Sequence, residues 1–581
     1  MKLKLMGIDN IRGYMTAVLA VLTVAVYVDS ISGSFVYDDL TVIGPHLGAN
    51  WNSSTLANVF GRDFWSGLRP DKFHGGVNSI YYRPLFNFYL MLIYRIIGDH
   101  ADRWHLFTVV MHTLAVLVVF RIIDHSLGSL FSIDGGRRCL LAGIAAAVFA
   151  IHPLQSESVA WISAIGNPSS TILILGVVYF YLKYLERSEL KQYLLAVAVF
   201  LVAVLWKENA LTLILILPAY ELLWHYRHRH GNQPEVASRE GSGITYKYNL
   251  VSRSIVRMLP FAAVAIGYFI LRFIALGTLV GRYQSFNFPD DSSLTIADNL
   301  LTLPVLINRY AGMMLAPLGL SSFYTFPYVR SATIGSFWSP FVVVAFATAI
   351  LAVGCRKWPE LRLATLWMVL PLLPHLNTLG HSSEELIQDH YLYLPLMGYG
   401  LLAASVLGRL CLRLSPAFAR RAMTTLAAIL IAVLGVMTAQ HNRLWQNQNL
   451  LWAEAAAHAP RSRIIHLELG ELAELRNDLE LAEHEYHVVL AINGEVLDGL
   501  NNLAFVEAKQ NRWAEATENF EHIVLLSPEK PLAHFNLAIS YSAEKRYDEA
   551  QRELQTAVDL DPSGPRALEW RRRLDNLRQR K

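Results

Sequence analysis

Cysteine and charge are both scarce in this sequence. Cysteine occurs three times in 581 residues, each time in or beside an apolar run, which excludes a disulfide framework and a thiolate metal site. Charged residues make up 17% of the chain, whereas soluble domains carry about 25%. The net charge of +3 is too small to indicate nucleic-acid binding. Neither a glycine-rich phosphate loop nor an HExxH motif occurs, so a nucleotide-driven enzyme and a zinc protease are not expected.

The shortage of charge is confined to one part of the chain. Residues 1–440 are strongly apolar, whereas residues 441–581 are polar and rich in Ala, Glu, Leu and Arg. This contrast predicts a membrane domain over 1–440 followed by a soluble domain over 441–581. The apolar run near the N-terminus lacks a small-residue cleavage site, so we interpret it as a retained signal anchor rather than a signal peptide.

Eleven apolar runs approach the length of a bilayer crossing, which takes roughly 20 mainly apolar residues. They lie near 13–30, 104–123, 138–152, 168–186, 190–206, 209–225, 254–277, 338–354, 361–379, 391–411 and 421–440. Two further segments, 84–98 and 297–316, contain polar or charged interruptions. We expect both to form amphipathic helices that lie in the membrane interface.

Basic residues predict the orientation of these crossings. Lys2, Lys4 and Arg12 precede the first run and place the N-terminus in the cytoplasm. With eleven crossings, later basic stretches such as the one at Arg137 also fall inside. An odd number of crossings sends the C-terminal domain to the non-cytoplasmic side, where the loop over 31–103 also lies.

The soluble part repeats itself with a period of 34 residues. NLAFVEAKQNRWAEATENFEHIVLLSP, residues 502–528, aligns with NLAISYSAEKRYDEAQRELQTAVDLDP, residues 536–562, and a weaker copy lies one period upstream. A 34-residue period with small residues at helix contacts is typical of tetratricopeptide repeats. Because stacked helix pairs bury a core that one repeat cannot form, we expect a helical solenoid.

Polar residues beside the apolar runs fall in five loops that this topology places on the non-cytoplasmic face. The loops contain FVYDDLTVIGP, SIYYRPL, HPLQSESVAW, KEN and HSSEELIQDHYLYLP. Ionisable groups at membrane depth are candidates for function. The candidate site residues are Asp38, Asp39, Arg83, His152, Glu157, Lys207, Glu208, His390 and Tyr393.

Each candidate also has a structural interpretation. Asp38 and Asp39 would equally end a helix in water, and Arg83 is typical of an interface anchor. The Lys207-Glu208 pair separates two apolar stretches with almost no turn residues. Because a charge at the bilayer centre costs about 2.5–3.5 kcal/mol, this pair is expected at the interface or buried against partners.

Carboxylates combined with Arg, Lys and His on one face suit group transfer from a phosphate-bearing lipid donor. A carboxylate serves as general base for an acceptor hydroxyl, and cationic groups stabilise the phosphate charge as the leaving group departs. Asp38 and Asp39 are also able to hold Mg²⁺ or Mn²⁺, but the sequence shows no complete ligand set and no metal is assigned. Aromatic residues such as Tyr393 either stack on a sugar or belong to the interfacial belt.

The motifs FVYDDLTVI, YYRPL, HPLQSESVAWIS, KENALT and YLYLP, followed by tetratricopeptide repeats, together resemble the transmembrane and tetratricopeptide-repeat-containing O-mannosyltransferases. These are polytopic GT-C glycosyltransferases, and the resemblance covers nearly the whole chain in the same order of parts. It implies an acidic pair in the first external loop, here Asp38 and Asp39, and juxtamembrane helices around Arg83. It also implies a one-step inverting transfer from a polyprenyl-phosphate sugar, with mannose as the sugar. The few repeats and compact loops differ from the animal members and look like a bacterial relative, which leaves the acceptor open.

We therefore expect an all-α protein with a GT-C-type membrane domain of about 11 crossings followed by a tetratricopeptide-repeat solenoid. In this hypothesis Asp38 or Asp39 activates the acceptor hydroxyl, and Asp38 is preferred. The other candidates bind the donor: Arg83, Lys207 and His390 its phosphate, His152 and Glu157 its sugar, with Glu208 and Tyr393 beside them.

The expected partners are a polyprenyl-phosphate sugar, the lipid bilayer and an acceptor polypeptide held in the groove of the repeats. The expected location is the bacterial inner membrane with the site and repeats facing the periplasm, or the lumen in a eukaryote. Two other functions stay open. One is a non-enzymatic scaffold that recruits envelope proteins through its repeats. The other is a transporter of lipid-linked glycans, which would need polar groups on both faces and along the membrane's depth.

Overall fold

The computed structural model describes residues 8–48, 53–68, 81–231, 243–277, 294–378, 384, 386–411, 416–564 and 566–579. Lys2, Lys4, residues 79–80 of the SIYYRPL stretch, and residues 381–383 and 385 of the HSSEELIQDHYLYLP stretch lie outside this part of the chain. The described residues form helices and turns without any β-strand. The predicted all-α fold is confirmed.

The first part of the chain is a bundle of apolar helices. Its helices are α1 (Ile8–Tyr27), α2 (Asp39–Val42), α3 (Ser53–Gly61), α4 (Phe64–Leu68), α5 (Pro84–Ile97), α6 (Ala101–Phe131), α7 (Gly135–Ile151), α8 (Ser156–Ala160), α9 (Gly166–Arg187), α10 (Leu190–Trp206), α11 (Leu213–Gly231), α12 (Gly243–Leu276), α13 (Ile296–Leu315), α14 (Ser339–Lys357), α15 (Glu360–Val369), α16 (Pro395–Cys411) and α17 (Pro416–Asn442). Each of the eleven predicted runs overlaps one of these helices.

Fewer than eleven helices are long and apolar enough to cross a bilayer by themselves. Among the described residues six helical segments meet this condition: Ile8–Ser32, Ala101–Phe131, Ile162–Arg187, Ser254–Leu276, Ile334–Lys357 and Arg421–Gln446. A seventh results if Gly135–Ile151 and Pro153–Ala160, which meet at a bend of 58°, count as one span. The structure therefore supports a multi-pass membrane protein, while the number of eleven crossings stays a prediction.

Proline explains where two of the helices end. Proline has no main-chain N–H and its ring clashes with the preceding turn, so it ends or bends a helix. Pro153 follows α7 at the 58° bend. Pro371 and Pro374 lie just after α15, where the chain continues as a 3₁₀ turn over Leu370–Leu376.

The two segments that we expected to be interfacial, 84–98 and 297–316, are both one-sided helices. In α5 the buried residues include Phe86 and Leu90, whereas Arg95 is exposed. In α13 Leu306 and Tyr310 are buried. A single buried face is the pattern of an amphipathic helix that packs against a larger body.

α7 is the central helix of the bundle and is buried along nearly its whole length. Its small side chains, GIAAAVFAI, allow neighbouring backbones to come close. A Cβ at Gly400 of α16 would overlap the carbonyl oxygen of Ala145, and one at Gly398 would overlap the backbone of α15 at Ala364. Glycine at these two positions therefore allows α16 to pack between α7 and α15.

Ion pairs tie the helices together at one end of the bundle, which we call the basic end. Arg12 of α1 bonds to Asp124 of α6 (Nη2–Oδ2 3.0 Å), and Arg138 of α7 reaches the same carboxylate (Nε–Oδ1 3.2 Å). Arg409 near the end of α16 pairs with Glu360 at the start of α15 (2.7 Å). The start of α1 and the end of α6 therefore lie at this end.

The opposite end of the bundle, which we call the site end, contains the connections that carry the candidate residues. Asn442 at the end of α17 donates a hydrogen bond from Nδ2 to the carbonyl of Val26 near the end of α1 (3.1 Å). The hydroxyl of Thr438 donates to the carbonyl of Ile151 at the end of α7 (2.5 Å). The chain therefore leaves α17 at the same end at which it leaves α1 and α7.

The C-terminal part is a stack of short helices. They are α18 (Gln448–His458), α19 (Arg463–Leu475), α20 (Leu479–Ile492), α21 (Leu497–Lys509), α22 (Trp513–Leu526), α23 (Pro531–Ala543), α24 (Tyr547–Leu560) and α25 (Ala567–Gln579). Ala516 and Ala550, which are 34 positions apart, are both fully buried. A Cβ at Gly470 would overlap the ring of Tyr486, so this contact also requires a small residue. The predicted helical solenoid is confirmed.

Candidate functional site

FVYDDLTVIGP forms a tight turn that begins the one-turn helix α2. Tyr37 has a φ of 51°, a left-handed conformation that non-glycine residues adopt rarely. Asp38 occupies the N-cap position of α2 and is partly exposed, whereas Asp39 is fully buried. The two adjacent carboxylates therefore have different surroundings.

Asp39 is held by hydrogen bonds from the loop between α8 and α9. Ser163 donates to Oδ1 from its main-chain N (2.7 Å) and its hydroxyl (2.5 Å), and the main-chain N of Val36 donates to Oδ2 (3.2 Å). Burial raises the pKa of Asp39 to about 7, although the hydrogen bonds from Ser163 and Val36 oppose the rise. Asp39 therefore fixes the FVYDD turn against the loop that leads into α9.

Arg83 and Glu208 form a two-pronged ion pair between the segment before α5 and the turn after α10. Nε of Arg83 donates to Oε2 at 2.9 Å and Nη2 donates to Oε1 at 2.5 Å. The ring centre of Tyr81 lies 4.3 Å from the guanidinium carbon. Burial raises the pKa of Glu208, but the charge and hydrogen bonds of Arg83 and the charge of Lys207 together outweigh this effect and lower it to about 2. The guanidinium is therefore held by a charged carboxylate.

Lys207 belongs to a polar chain that connects the turn after α10 with α8 and α9. Its Nζ donates to Oδ1 of Asn167, and Nδ2 of Asn167 donates to the hydroxyl of Ser158 (3.2 Å). Burial and the nearby charge of Arg83 lower the pKa of Lys207 to about 7. An anion beside Lys207 would favour its charged form, because opposite charges stabilise each other.

Glu157 on α8 binds the start of the turn Asp389–Leu392. It accepts hydrogen bonds from the main-chain N of His390 (2.8 Å) and pairs with its Nδ1 (2.7 Å). The neighbouring Asp389 is buried, accepts a hydrogen bond from the hydroxyl of Tyr324 (2.8 Å) and lies 3.5 Å from Nε2 of His441. Burial raises the pKa of Asp389.

A small cavity of about 20 Å³ lies between Lys207 and His390, and Asn167, His375 and Tyr393 are among its lining residues. This volume is enough for a water molecule. Lys207 and His390 therefore line a single space, although they are far apart in the sequence.

His152 and Tyr393 direct their polar atoms into the bundle. Nε2 of His152 lies 3.1 Å from the carbonyl of Met314, and its Nδ1 accepts a hydrogen bond from the main-chain N of Leu154 (3.4 Å). The hydroxyl of Tyr393 lies 2.7 Å from Nδ1 of His112. His152 thus stabilises the bend that leads into α8, and Tyr393 anchors the segment before α16.

α18 packs directly on the site end. Its Trp452 ring lies 5.3 Å from the ring of Tyr37, measured between centres. Trp445, just before α18, stacks on Trp161 at 5.6 Å. The FVYDD turn therefore lies against the first helix after the bundle.

A hydrogen-bond path runs from α18 to the turn that carries His390. Oε2 of Glu454 accepts hydrogen bonds from the hydroxyl of Ser321 and the main-chain N of Ser322, both at 3.1 Å. The main-chain N of Ser321 donates to the hydroxyl of Tyr324 (3.0 Å), which in turn bonds to Asp389.

Glu384, from the loop before the Asp389–Leu392 turn, binds the start of α19. Its Oε2 accepts from the hydroxyl of Ser462 (2.6 Å) and the main-chain N of Ile464 (3.2 Å), and its Oε1 accepts from the main-chain N of Arg463 (3.1 Å). A carboxylate is favoured there by the unpaired N–H groups of the first helical turn. The bundle and the solenoid are thus joined by buried polar contacts.

Several residues that form contacts at the site end are not among the candidates predicted from the sequence. They are Ser163, Asn167, Tyr324 and His441. Ser163 binds Asp39 across 124 positions of sequence, and a single serine in such a loop is ordinary. Asn167 has a detectable signal, since it is an amide at the start of an apolar helix.

Among the residues that the structure describes, no group of three or more His, Cys, Asp or Glu side chains is arranged to hold a metal ion. Asp38 and Asp39 are adjacent, but one is partly exposed and the other is fully buried. A Mg²⁺ or Mn²⁺ ion at this pair stays a prediction.

Comparison with known proteins supports the resemblance stated above. A family model described as tetratricopeptide repeat matches residues 507–574. A protein O-mannosyl-transferase of Caenorhabditis elegans is 25% identical over 468 residues, covering 78% of this chain and 59% of the relative. Protein O-mannosyl-transferase TMTC1 of Homo sapiens is 22% identical over 524 residues, covering 84% of this chain and 56% of the relative. The predicted similarity to the O-mannosyltransferases is therefore confirmed.

The chain spans less than three fifths of the length of these two relatives. A solved structure, the crystal structure of the APC/C hetero-tetramer Cut9-Hcn1, covers 84% of this chain at 14% identity and a TM-score of 0.22. A score this low does not establish a shared fold.

Proposed function

We propose that this protein is a membrane glycosyltransferase that moves a sugar, mannose, from a polyprenyl-phosphate donor to a hydroxyl of an acceptor protein. The observation that carries the proposal is the similarity to proteins named protein O-mannosyl-transferases over about four fifths of the chain. The grouping of carboxylates and cations at the site end, beside α18, supports it. The acceptor hydroxyls would be those of Ser or Thr in exported proteins.

Asp38 is the general base in this proposal. Its side chain is partly exposed, so an acceptor hydroxyl is able to reach it, whereas Asp39 is buried under hydrogen bonds from Ser163 and Val36. Asp38 takes the proton of the hydroxyl while the oxygen bonds to the anomeric carbon of the sugar. The bond from that carbon to the donor phosphate breaks in the same step, which inverts the configuration.

Asp39 is a positioning residue in the same step. Its contacts fix the FVYDD turn against the loop before α9, and this holds Asp38 in place without requiring Asp39 to touch the substrate. The reaction needs a base and a residue that holds the base in place. In this proposal the two adjacent carboxylates have these two roles.

Cationic groups bind the donor phosphate in this proposal. Arg83 is oriented by Glu208, and Lys207 and His390 line one cavity. A phosphate next to Lys207 would keep this side chain protonated, since its pKa of about 7 would rise beside an anion. The charge of the departing polyprenyl phosphate would then be neutralised as it forms.

The remaining candidates shape the donor site. Glu157 binds the main chain and ring of His390. In this proposal Glu157 lies next to the sugar and orients His390. His152 supports the bend before Glu157 through Leu154. Tyr393 forms part of the cavity wall.

The solenoid would bind the acceptor polypeptide, because its first helices lie against the site end. The basic end would face the cytoplasm, in line with the preference of Lys and Arg for cytoplasmic loops. The site and the repeats would then face the periplasm of a bacterial inner membrane, or the lumen in a eukaryote.

Transfer of labelled mannose from polyprenyl-phosphate mannose, measured in membranes that contain the full chain and an exported-protein fraction, tests the proposal. Asp38→Asn should lower the rate by about 100-fold or more, as loss of a general base does. Asp29→Asn is the matched control, because Asp29 is exposed at the same end of the bundle and should keep the activity.

Two results would contradict the proposal. Full transfer by Asp38→Asn would show that Asp38 is not the base, and full transfer by Asp39→Asn as well would show that neither carboxylate is. Absence of added hexose on any acceptor with the wild-type chain would instead favour a scaffold that only recruits proteins.

A further inference from the structure

A second cavity lies far from the site residues, between α11 and α15. It has a volume of about 350 Å³ and is lined by Ala219, Leu222, Leu223, Tyr226, Arg362 and Leu366. Four of these residues are apolar, and Tyr226 and Arg362 are the two with polar groups. The cavity is therefore an apolar groove with a cation on its wall.

The groove lies at the basic end of the bundle. Arg362 is in the first turn of α15, two residues after Glu360, which pairs with Arg409. Arg227 near the end of α11 donates to the carbonyl of Gly128 at the end of α6 (3.0 Å). Both walls of the groove therefore approach the membrane surface opposite the site end.

Arg362 differs from three other arginines at this end in its partners. Arg12, Arg257 and Arg409 each pair with a carboxylate. Arg362 donates from Nε to the carbonyl of Cys355 (3.0 Å), and its guanidinium carbon lies 4.6 Å from the ring centre of Tyr226. Within the described ranges no carboxylate forms an ion pair with it. The guanidinium is thus fixed in orientation while its charge is not neutralised.

We propose that this groove binds one molecule of an anionic phospholipid from the adjacent leaflet. An acyl chain would fill the space beside Ala219 and Leu222, and the phosphate would accept hydrogen bonds from the terminal nitrogens of Arg362. Charge complementarity supports this occupant over a neutral lipid, because a cation on the wall of an apolar groove matches a lipid headgroup that carries a net negative charge. Exposed Arg356 and Lys357 at the end of α14 add to the positive potential there.

Native mass spectrometry of the full chain in detergent tests the proposal, with palmitoyl-oleoyl phosphatidylglycerol and palmitoyl-oleoyl phosphatidylcholine as probes. The wild-type chain should retain phosphatidylglycerol about tenfold more than phosphatidylcholine, the size expected for one charge-assisted contact. In Arg362→Ala the ratio of retained phosphatidylglycerol to retained phosphatidylcholine should fall close to one. Arg421→Ala is the matched control, since Arg421 is exposed at the start of α17 and should leave the preference unchanged.

A second variant tests the apolar part of the groove independently of the charge. Ala219→Phe should lower retention of both lipids while the preference for phosphatidylglycerol among the bound fraction remains. Unchanged preference in Arg362→Ala, an equal loss in Arg421→Ala, or unchanged retention in Ala219→Phe would each overturn the proposal. The first two results would point to diffuse surface charge as the cause of any preference.

Discussion

Single residues at the site end differ in how strongly the surrounding structure holds them. Asp39, Glu208 and Glu157 each accept two or more hydrogen bonds. Asp38 and Glu208 are partly exposed, whereas Asp39 and Glu157 are buried. The exposure of Asp38 suits a base that must meet an incoming hydroxyl.

The Arg83–Glu208 pair should matter for stability mainly because removal of either residue leaves the charge of the other unpaired. Glu208→Gln or Arg83→Gln should lower the free energy of unfolding by about 1–3 kcal/mol, since each leaves a largely buried charge unpaired. The double variant Arg83→Met with Glu208→Met should lose less than the sum of the single variants. Thermal unfolding in detergent micelles measures all of them as a double-mutant cycle. Strict additivity would mean that the two groups do not interact.

The raised pKa of Asp39 predicts a dependence of stability on pH. Its ordinary pKa is 3.8 and its pKa in the folded protein is about 7, so between these values the folded state holds a proton that the unfolded state has released. The contribution of Asp39 to stability should therefore fall as pH rises from about 4 to about 7 and stay constant above that.

Asp39→Asn should remove this dependence. Melting temperatures of both proteins are followed by tryptophan fluorescence from pH 4.5 to 8. As pH rises to about 7, the melting temperature of the wild type should fall relative to that of Asp39→Asn, and above pH 7 the difference should stay constant. Asp29→Asn again serves as the control, because it lacks the buried contacts. A difference that does not change with pH would show that Asp39 keeps an ordinary pKa.

At the scale of single residues, the sequence predicted residues that are unusual in their local context but did not predict contacts between distant residues. Asp38 and Asp39 stand out because carboxylates are rare beside apolar runs, and Lys207-Glu208 stands out because the pair interrupts one. Ser163 and Tyr324 do not stand out, because their importance comes from partners 124 and 65 positions away. Such pairings depend on how helices pack, and no local pattern contains that information.

At the scale of helices, the composition of the sequence predicted that a helix forms better than it predicted the residues at which the helix begins and ends. Apolar runs predicted α6 and α9 well, since burial and lipid contact both favour apolar side chains. The run at 361–379 did not become one regular helix, because Pro371 and Pro374 interrupt it. The repeat helices were predicted with their period, because small residues recur wherever two helices touch.

Glycine spacing along α16 should be needed for its close packing. Gly400→Ala would place a Cβ against the carbonyl oxygen of Ala145, and moving two packed helices apart should cost about 1–3 kcal/mol. Gly176→Ala is the matched control, since its Cβ would lie 3.7 Å from Val199, an ordinary contact. Melting temperatures of both variants in detergent check the expectation. Equal stability of Gly400→Ala and wild type would mean that α16 shifts without cost.

At the scale of the whole molecule, bundle and solenoid share a buried interface. α18 carries Trp452, which packs on Tyr37, and Glu454, which binds Ser321 and Ser322. The solenoid and the site end are therefore joined by packed side chains and hydrogen bonds. The sequence indicated two parts, but their joint was not predictable, because its residues come from four separate segments.

Glu384 should hold α19 against the bundle. Glu384→Ala removes four hydrogen bonds at the start of α19, and loss of about 1–3 kcal/mol of local stability should speed amide exchange in α19 by tenfold or more. Hydrogen-exchange mass spectrometry of the full chain measures this rate. Glu480→Ala, which changes an exposed glutamate in the first turn of α20, should leave α19 unaffected. Equal exchange in both variants would exclude a role for Glu384 in docking.

The contact between Glu384 and α19 gives the solenoid two unlike ends. A stack of repeats normally needs a dedicated polar unit to shield its first helix from solvent, and here the membrane bundle supplies that shield. The solenoid is therefore able to lengthen by further repeats only in the direction away from the membrane. Variation in the number of repeats can then change the reach of the surface that we propose binds the acceptor, while the residues around Asp39 keep their geometry.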